Sequence, residues 1–183
     1  MPTEFRHDQL NRSHRVRRSF GFVDLSGFTS YGTMYGDDRA VEQLSLFRSV
    51  VRAVGSSTGV RVAKWLGDGA MLVGLDPAGL AGAILRIKRG LEARGSELAI
   101  HAGVASGDVI LFEGDDHIGK VVNLAARLAA IAAPGQILAP VDTLHGLARS
   151  GAVLGSMAIA GFDDPVEVAD LALVPTLVES YNL

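Results

Sequence analysis

Residues 60–75 read VRVAKWLGDGAMLVGL. Two strand-like runs, 60–66 and 70–75, flank Gly67-Asp68-Gly69, and an Asp-Gly pair tolerates the positive φ that a tight hairpin turn needs. Ahead of this hairpin, Val41, Leu44, Phe47, Val50, Val51 and Val54 recur at three- and four-residue spacing. Asp37-Asp38 supply a cap for that helix, and residues 55–59 end it. Before the helix, 20–25 is a short buried strand closed by Ser26-Gly27, with Gly32 and Gly36 predicting a loop. After the hairpin, Pro77 opens a second helix with Leu80, Ala81, Ile84, Lys88 and Leu91 along one stripe, and Gly95 lies past its end. A strand follows at 98–105. The order is β-α-β-β-α-β, the ferredoxin-like unit, in which helices pack on one face of an antiparallel sheet.

The second half predicts a strand at 109–112, a polar loop at 113–119, an Ala-rich helix at 120–132 and a strand at 136–139. A helix at 142–149 and strands at 152–159 and 166–174 complete an α+β chain. No repeat, low-complexity tract or Pro/Ser-rich linker divides it. One domain is expected over 18–174, between a basic N-terminal arm, 1–17, and a tail, 175–183.

Composition narrows the chemistry. The chain has 183 residues, 48% of them hydrophobic, which is too apolar for a disordered polymer and enough to bury a core. It has no cysteine, so disulfides, Cys-held zinc or iron–sulfur sites and thiol nucleophiles are excluded. Any metal must be held by oxygen or imidazole. Residues 1–18 carry a local charge of +3 within a total of −3. Five arginines without interleaved aromatics do not make a nucleic-acid surface, so no nucleic-acid partner is expected. No apolar run approaches the ~18 residues of a membrane span, and the N-terminus lacks an apolar signal core. The expectation is a cytoplasmic protein with no membrane contact.

Two aspartates stand out by position. Asp24 ends the first strand and Asp68 sits at the hairpin tip, and in a ferredoxin-like sheet those strands are neighbours. Two carboxylates without a basic neighbour repel unless a cation lies between them, and a hard divalent ion bound to phosphates suits such a pair. Each aspartate alone is also what a turn or cap would use. The turn 25–30, LSGFTS, offers backbone N–H groups to phosphate oxygens. Asn123 and Arg127, four apart, share one face of an otherwise apolar helix, where Arg127 can stabilise charge on a phosphoryl group or simply face solvent. Lys64 is equally consistent with an edge residue. Residues 114–121, GDDHIGKV, fit G-x-x-x-x-G-K between a strand and a helix. Val121 has no hydroxyl for Mg²⁺, two aspartates would face the phosphates, and the parallel scaffold is missing. The match is a decoy.

Taken in order, 22–29 (FVDLSGFT), 64–69 (KWLGDG) and 116–127 (DHIGKVVNLAAR) resemble the class III nucleotidyl cyclase domain. Residues 103–109 and 134–137 are similar to its connecting motifs, and Gly161-Phe162 with Pro165-Val166 to its terminal strand entry. The resemblance spans about 18–174. It implies that Asp24 and Asp68, with Leu25, hold two Mg²⁺ or Mn²⁺ ions. It implies that Lys64 and Asp116 select adenine, that Phe28 and Thr29 contact substrate, and that Asn123 and Arg127 orient the ribose and stabilise the transition state. The implied reaction converts ATP to 3′,5′-cyclic AMP and pyrophosphate. The implied assembly is a homodimer whose two sites are shared between chains, because one chain carries both halves. The chain departs from the family pattern at Ala160, where a phosphate-binding Lys is common, at Asp108, where some members have Arg, and at Lys120, a place often acidic. The missing Lys at Ala160 is the best argument for a competing expectation, a non-catalytic nucleotide-binding or regulatory domain, which the complete set of six motif residues disfavours.

Overall fold

The computed structural model describes residues 15–112, 116–144, 152–174 and 177. β1 (Arg15–Leu25) leads through α1 (Phe28–Tyr35) and α2 (Asp37–Thr58) to the hairpin β2 (Arg61–Leu66) and β3 (Gly69–Gly74). Then come α3 (Pro77–Glu92), β4 (Ile100–Phe112), β5 (Asp116–Ile118), α4 (Lys120–Ile131), β6 (Ile137–Pro140), β7 (Val153–Met157) and β8 (Val166–Asp170). One sheet runs β2-β3-β1-β4-β6-β8-β7, with β5 folded against β4. Its described pairs are antiparallel except β4 with β6. The α+β class and the βαββαβ order are as the sequence predicts.

Strand alternation sends side chains to two faces. Val23, Leu25, Leu72, Ala102 and Val104 pack beneath Phe47 of α2 and Leu80 and Ile84 of α3. Phe20, Met71, Val73 and Ala105 form a second core beneath Ala125 of α4. Helices therefore cover both faces, not one: α2 and α3 on the first, α4 on the second. Leu80 and Ile84 are fully buried, and truncating either to Ala costs about 2–5 kcal/mol.

Several elements differ from the sequence expectation. The loop marked by Gly32 and Gly36 is the helix α1. Gly27 at φ 73° turns the chain into it, Gly36 at φ 88° breaks it from α2, and Tyr31 supplies its buried contact. The strands expected at 98–105 and 109–112 are one strand, β4. Its ladder to β1 continues through Ser19↔Ser106, Arg18↔Gly107 and Arg17↔Asp108, and the buried Ser19 hydroxyl bonds that of Ser106 at 2.6 Å. That ladder also carries β1 back to Arg15, into the stretch read as an arm. Part of the expected polar loop is β5, which returns along β4 with Leu111↔His117 and Phe112↔Asp116 paired. The last strand stops at Asp170, whose carboxylate accepts from the Ala172 N–H at 3.0 Å and starts a 3-10 turn over Leu171–Leu173. Of the helix expected at 142–149, a 3-10 turn over Val141–Leu144 is described and the remainder lies outside the described residues. Most of the 1–17 arm and of the 175–183 tail also lies outside them.

Candidate active site

The α4 side of the sheet gathers most of the chemistry. Asp24 is paired across the ladder with Gly69 of β3 and His101 of β4. A methyl group on Gly69 would lie 2.7 Å from Asp24 Oδ1 and 3.0 Å from the Val23 carbonyl, so the carboxylate occupies space that only glycine leaves open. Oδ1 is buried and, among the described residues, has no hydrogen-bond partner. Burial raises the Asp24 carboxyl above the ordinary carboxylate value and the Asp68 charge pushes it further, while His101 and the Leu25 backbone N–H pull it down. A crevice of about 170 Å³ opens here, between Phe22, Asp24, Leu66 and His101 and the Ala126 and Ala130 side of α4.

Asp68 stands in the turn between β2 and β3. Gly67 there has φ 68°, and its carbonyl accepts from the Arg48 guanidinium at 3.0 Å. Arg48 and Arg52 lie 5.1 and 5.3 Å from the Trp65 ring, so α2 grips the hairpin that presents Asp68.

Two mutually repelling carboxylates, an orphaned buried oxygen and a glycine-lined space fit a divalent cation. Among the described residues no three His, Asp or Glu side chains converge on one point. Two protein carboxylates with the remaining positions left to phosphate or water is the pattern of a Mg²⁺-type site. Leu25 is buried, so only its backbone can face such an ion.

At the sheet edge, Lys64 Nζ and Asp116 Oδ1 form an ion pair at 2.5 Å, with both side chains about half exposed. The Lys64 ammonium, by hydrogen bond and then by charge, holds the Asp116 carboxyl below its usual value. Phe28 and Thr29 begin α1, three and four residues after Leu25 in the chain, where the first N–H groups have no intrahelical acceptor.

Asn123 and Arg127 are both exposed on α4, and among the described residues neither makes a hydrogen bond or ion pair. Neither lines the crevice beside Asp24. α4 lies against the sheet because Gly103 has no side chain: a methyl there would meet the Ala125 carbonyl and the Ala129 N at 2.2 Å. The sequence reading missed Arg48 and His101, and named Gly69 and Gly103 only as parts of a hairpin turn and a connecting motif. A His alternating with Ala102 and Val104 in a buried strand was the available signal for that histidine.

No family model matches the chain. It is 38% identical over 160 residues to an uncharacterized protein of Mycobacterium tuberculosis, covering 87% of this chain and 42% of that protein. It is 32% identical to the pH-sensitive adenylate cyclase of the same species over 64% of this chain and 29% of that one. The chain thus spans less than half the length of these relatives. Among solved structures, the adenylyl cyclase CyaB from P. aeruginosa superposes with TM-score 0.70 at 22% identity, covering 85% of this chain and 93% of that one. The structure therefore has the fold of the class III nucleotidyl cyclase domain. Among the described residues no helix is long and apolar enough to cross a membrane.

Proposed function

We propose that this chain is a class III adenylyl cyclase domain, converting ATP to 3′,5′-cyclic AMP and pyrophosphate at sites shared by two copies of the chain. The observation that carries this reading is the coexistence, in one chain, of two incomplete halves. Asp24 and Asp68 form an acidic half with no cationic group from α4, and Asn123 and Arg127 form a polar half directed to solvent. A two-fold pairing that sets each half against its complement completes both.

The metal ions, Mg²⁺ or Mn²⁺, would supply acidity to the ribose 3′-hydroxyl and charge neutralisation to the triphosphate. Asp24 and Asp68, with the Leu25 backbone, would hold them. The N-terminal N–H groups of α1 at Phe28 and Thr29 would bind phosphate oxygens. Asn123 would orient the ribose, and Arg127 would stabilise negative charge on the α-phosphate as the 3′-oxygen attacks. Lys64 can donate to adenine N1 and Asp116 can accept from the N6 amino group. Guanine presents the opposite pattern at both places, so this pair supports ATP over GTP.

Ala160 and Asp108, both exposed and neither cationic, favour the second reading, a domain that binds nucleotide without turning it over. Incubating the purified chain with ATP or GTP and Mn²⁺, then identifying products, separates the two. Cyclic AMP supports the cyclase reading; bound but unchanged nucleotide supports the regulatory one.

A further inference from the structure

The turn that carries Asp68 is held from behind. Strand alternation along β2 sends Lys64, paired with Met71, toward the α4 face, and Trp65, paired with Ala70, toward α2. Phe47 of α2 meets the Trp65 ring edge-on at 6.3 Å, beside the guanidiniums of Arg48 and Arg52. Of the two arginines, only Arg48 reaches the turn itself. Its Nη2 donates to the carbonyl of Gly67, the residue before Asp68, at 3.0 Å. Its Nε is buried and, among the described residues, has no hydrogen-bond partner. A guanidinium that gives up water on one edge is held in place by what its other edge and its face contact. The Asp68 carboxylate, by contrast, makes no hydrogen bond or ion pair among the described residues, so its position is set by the backbone of the turn.

We propose that Arg48 is a positioning residue for the metal-binding half: its bond to the Gly67 carbonyl keeps Asp68 where it and Asp24 can share divalent cations. The Asp68 charge raises the Asp24 carboxyl, so the two groups repel when no cation lies between them. That repulsion drives the hairpin tip away from β1, and an anchor on the turn backbone opposes it before any metal arrives. The anchor acts on Asp68 and spares Lys64, whose side chain leaves the same strand on the other face. The inference rests on reading Asp24 and Asp68 as metal ligands and goes beyond it by naming what holds one of them in place.

The test titrates the full chain with Mn²⁺ alone, without nucleotide, and follows the free ion by electron paramagnetic resonance. Arg48→Gln removes the charged donor and should weaken Mn²⁺ binding about tenfold or more, the scale on which loss of a group supporting a metal ligand is felt. Arg48→Lys keeps a cation within reach of the ring and the carbonyl and should recover most of that loss. Arg52→Gln takes a guanidinium from the same ring without touching the turn, and should leave Mn²⁺ binding nearly unchanged. Equal weakening by Arg48→Gln and Arg52→Gln means a looser hairpin and no specific anchor, and overturns the inference, as does unchanged binding in Arg48→Gln. Where Arg48→Gln fails to fold, wild type decides through amide hydrogen exchange across residues 66–69. The anchored turn should exchange slowly in chelator and be little changed by Mg²⁺; fast exchange that slows only with Mg²⁺ makes the metal the organiser and overturns the inference. Asp68→Asn separates the two levels. Mn²⁺ binding absent from wild type, or undiminished in Asp68→Asn, sinks the metal reading and this inference with it. Binding lost in Asp68→Asn but intact in Arg48→Gln sinks this inference alone.

Discussion

Lys64 of β2 and Asp116 of β5 are held together at 2.5 Å although 52 residues separate them. Without a base between them, each satisfies the other. On the proposed reading, an incoming purine would exchange that bond for two of its own, so the pair would discriminate by what it gives up as well as by what it gains. Lys64→Glu with Asp116→Cys should reduce kcat/KM for ATP by about 10²-fold or more, the scale on which buried hydrogen-bond complementarity discriminates. The melting temperature should hardly move, because an ion pair this exposed contributes little to stability. Steady-state kinetics alongside a thermal melt checks both halves; unchanged ATP turnover would remove these residues from base selection.

Asp68→Ala and Asn123→Ala should each be inactive alone and active when mixed. Random exchange makes half of the dimers mixed, and each mixed dimer has one intact site of two, so recovery should approach about a quarter of wild-type activity. The measurement is cyclic AMP formation after chain exchange has been demonstrated. No recovery would sink the shared-site assembly.

Gly103→Ala places a methyl 2.2 Å from backbone atoms of α4, which cannot rotate away. Overpacking of this kind costs about 1–3 kcal/mol and should lift α4 off β4. The expected result is a lower denaturation midpoint together with a fall in kcat larger than the change in KM, if Arg127 acts on the transition state as proposed. A fall in stability with kcat intact would separate α4 placement from catalysis.

Asp24 yields a prediction of opposite sign for stability and function. Its carboxyl titrates above the ordinary value in the folded chain, so between the unfolded and folded values the folded state holds more protons than the unfolded one. Stability of the metal-free chain therefore falls as pH rises through that window, and at neutral pH the ionised Asp24 is a net burden. Asp24→Asn should melt at a higher temperature than wild type in the presence of a chelator, and should lose both metal binding and turnover. A lower melting temperature in chelator would contradict the burial cost, and the Asp68 repulsion added to it, described for the Asp24 carboxylate.

The βαββαβ frame was legible because its signals are local: an Asp-Gly turn, helical spacing from Val41 to Val54, and Pro77 at a helix start. α1 was not, since a helix of eight residues with one buried side chain has little periodicity to read. The continuity of β4 through Ser106-Gly107-Asp108 was hidden because it depends on a partner strand 87 residues away, including the Ser19–Ser106 bond. The same distinction divides the site. Asp24, Asp68, Lys64 and Asp116 carry recognisable chemistry at recognisable spacing. Gly69 and Gly103 matter for what they leave empty, and His101 for a carbonyl of a helix that follows it in the chain. None of those three relationships exists until the strands are paired.

The outward direction of Asn123 and Arg127 has a consequence for dosage. If the two residues can act only on another copy, the output of this chain at low abundance scales with the square of its concentration. Doubling expression would then raise cyclic nucleotide about fourfold, until dimers saturate and the response becomes linear. A cell would read the amount of this protein as a threshold without any added effector.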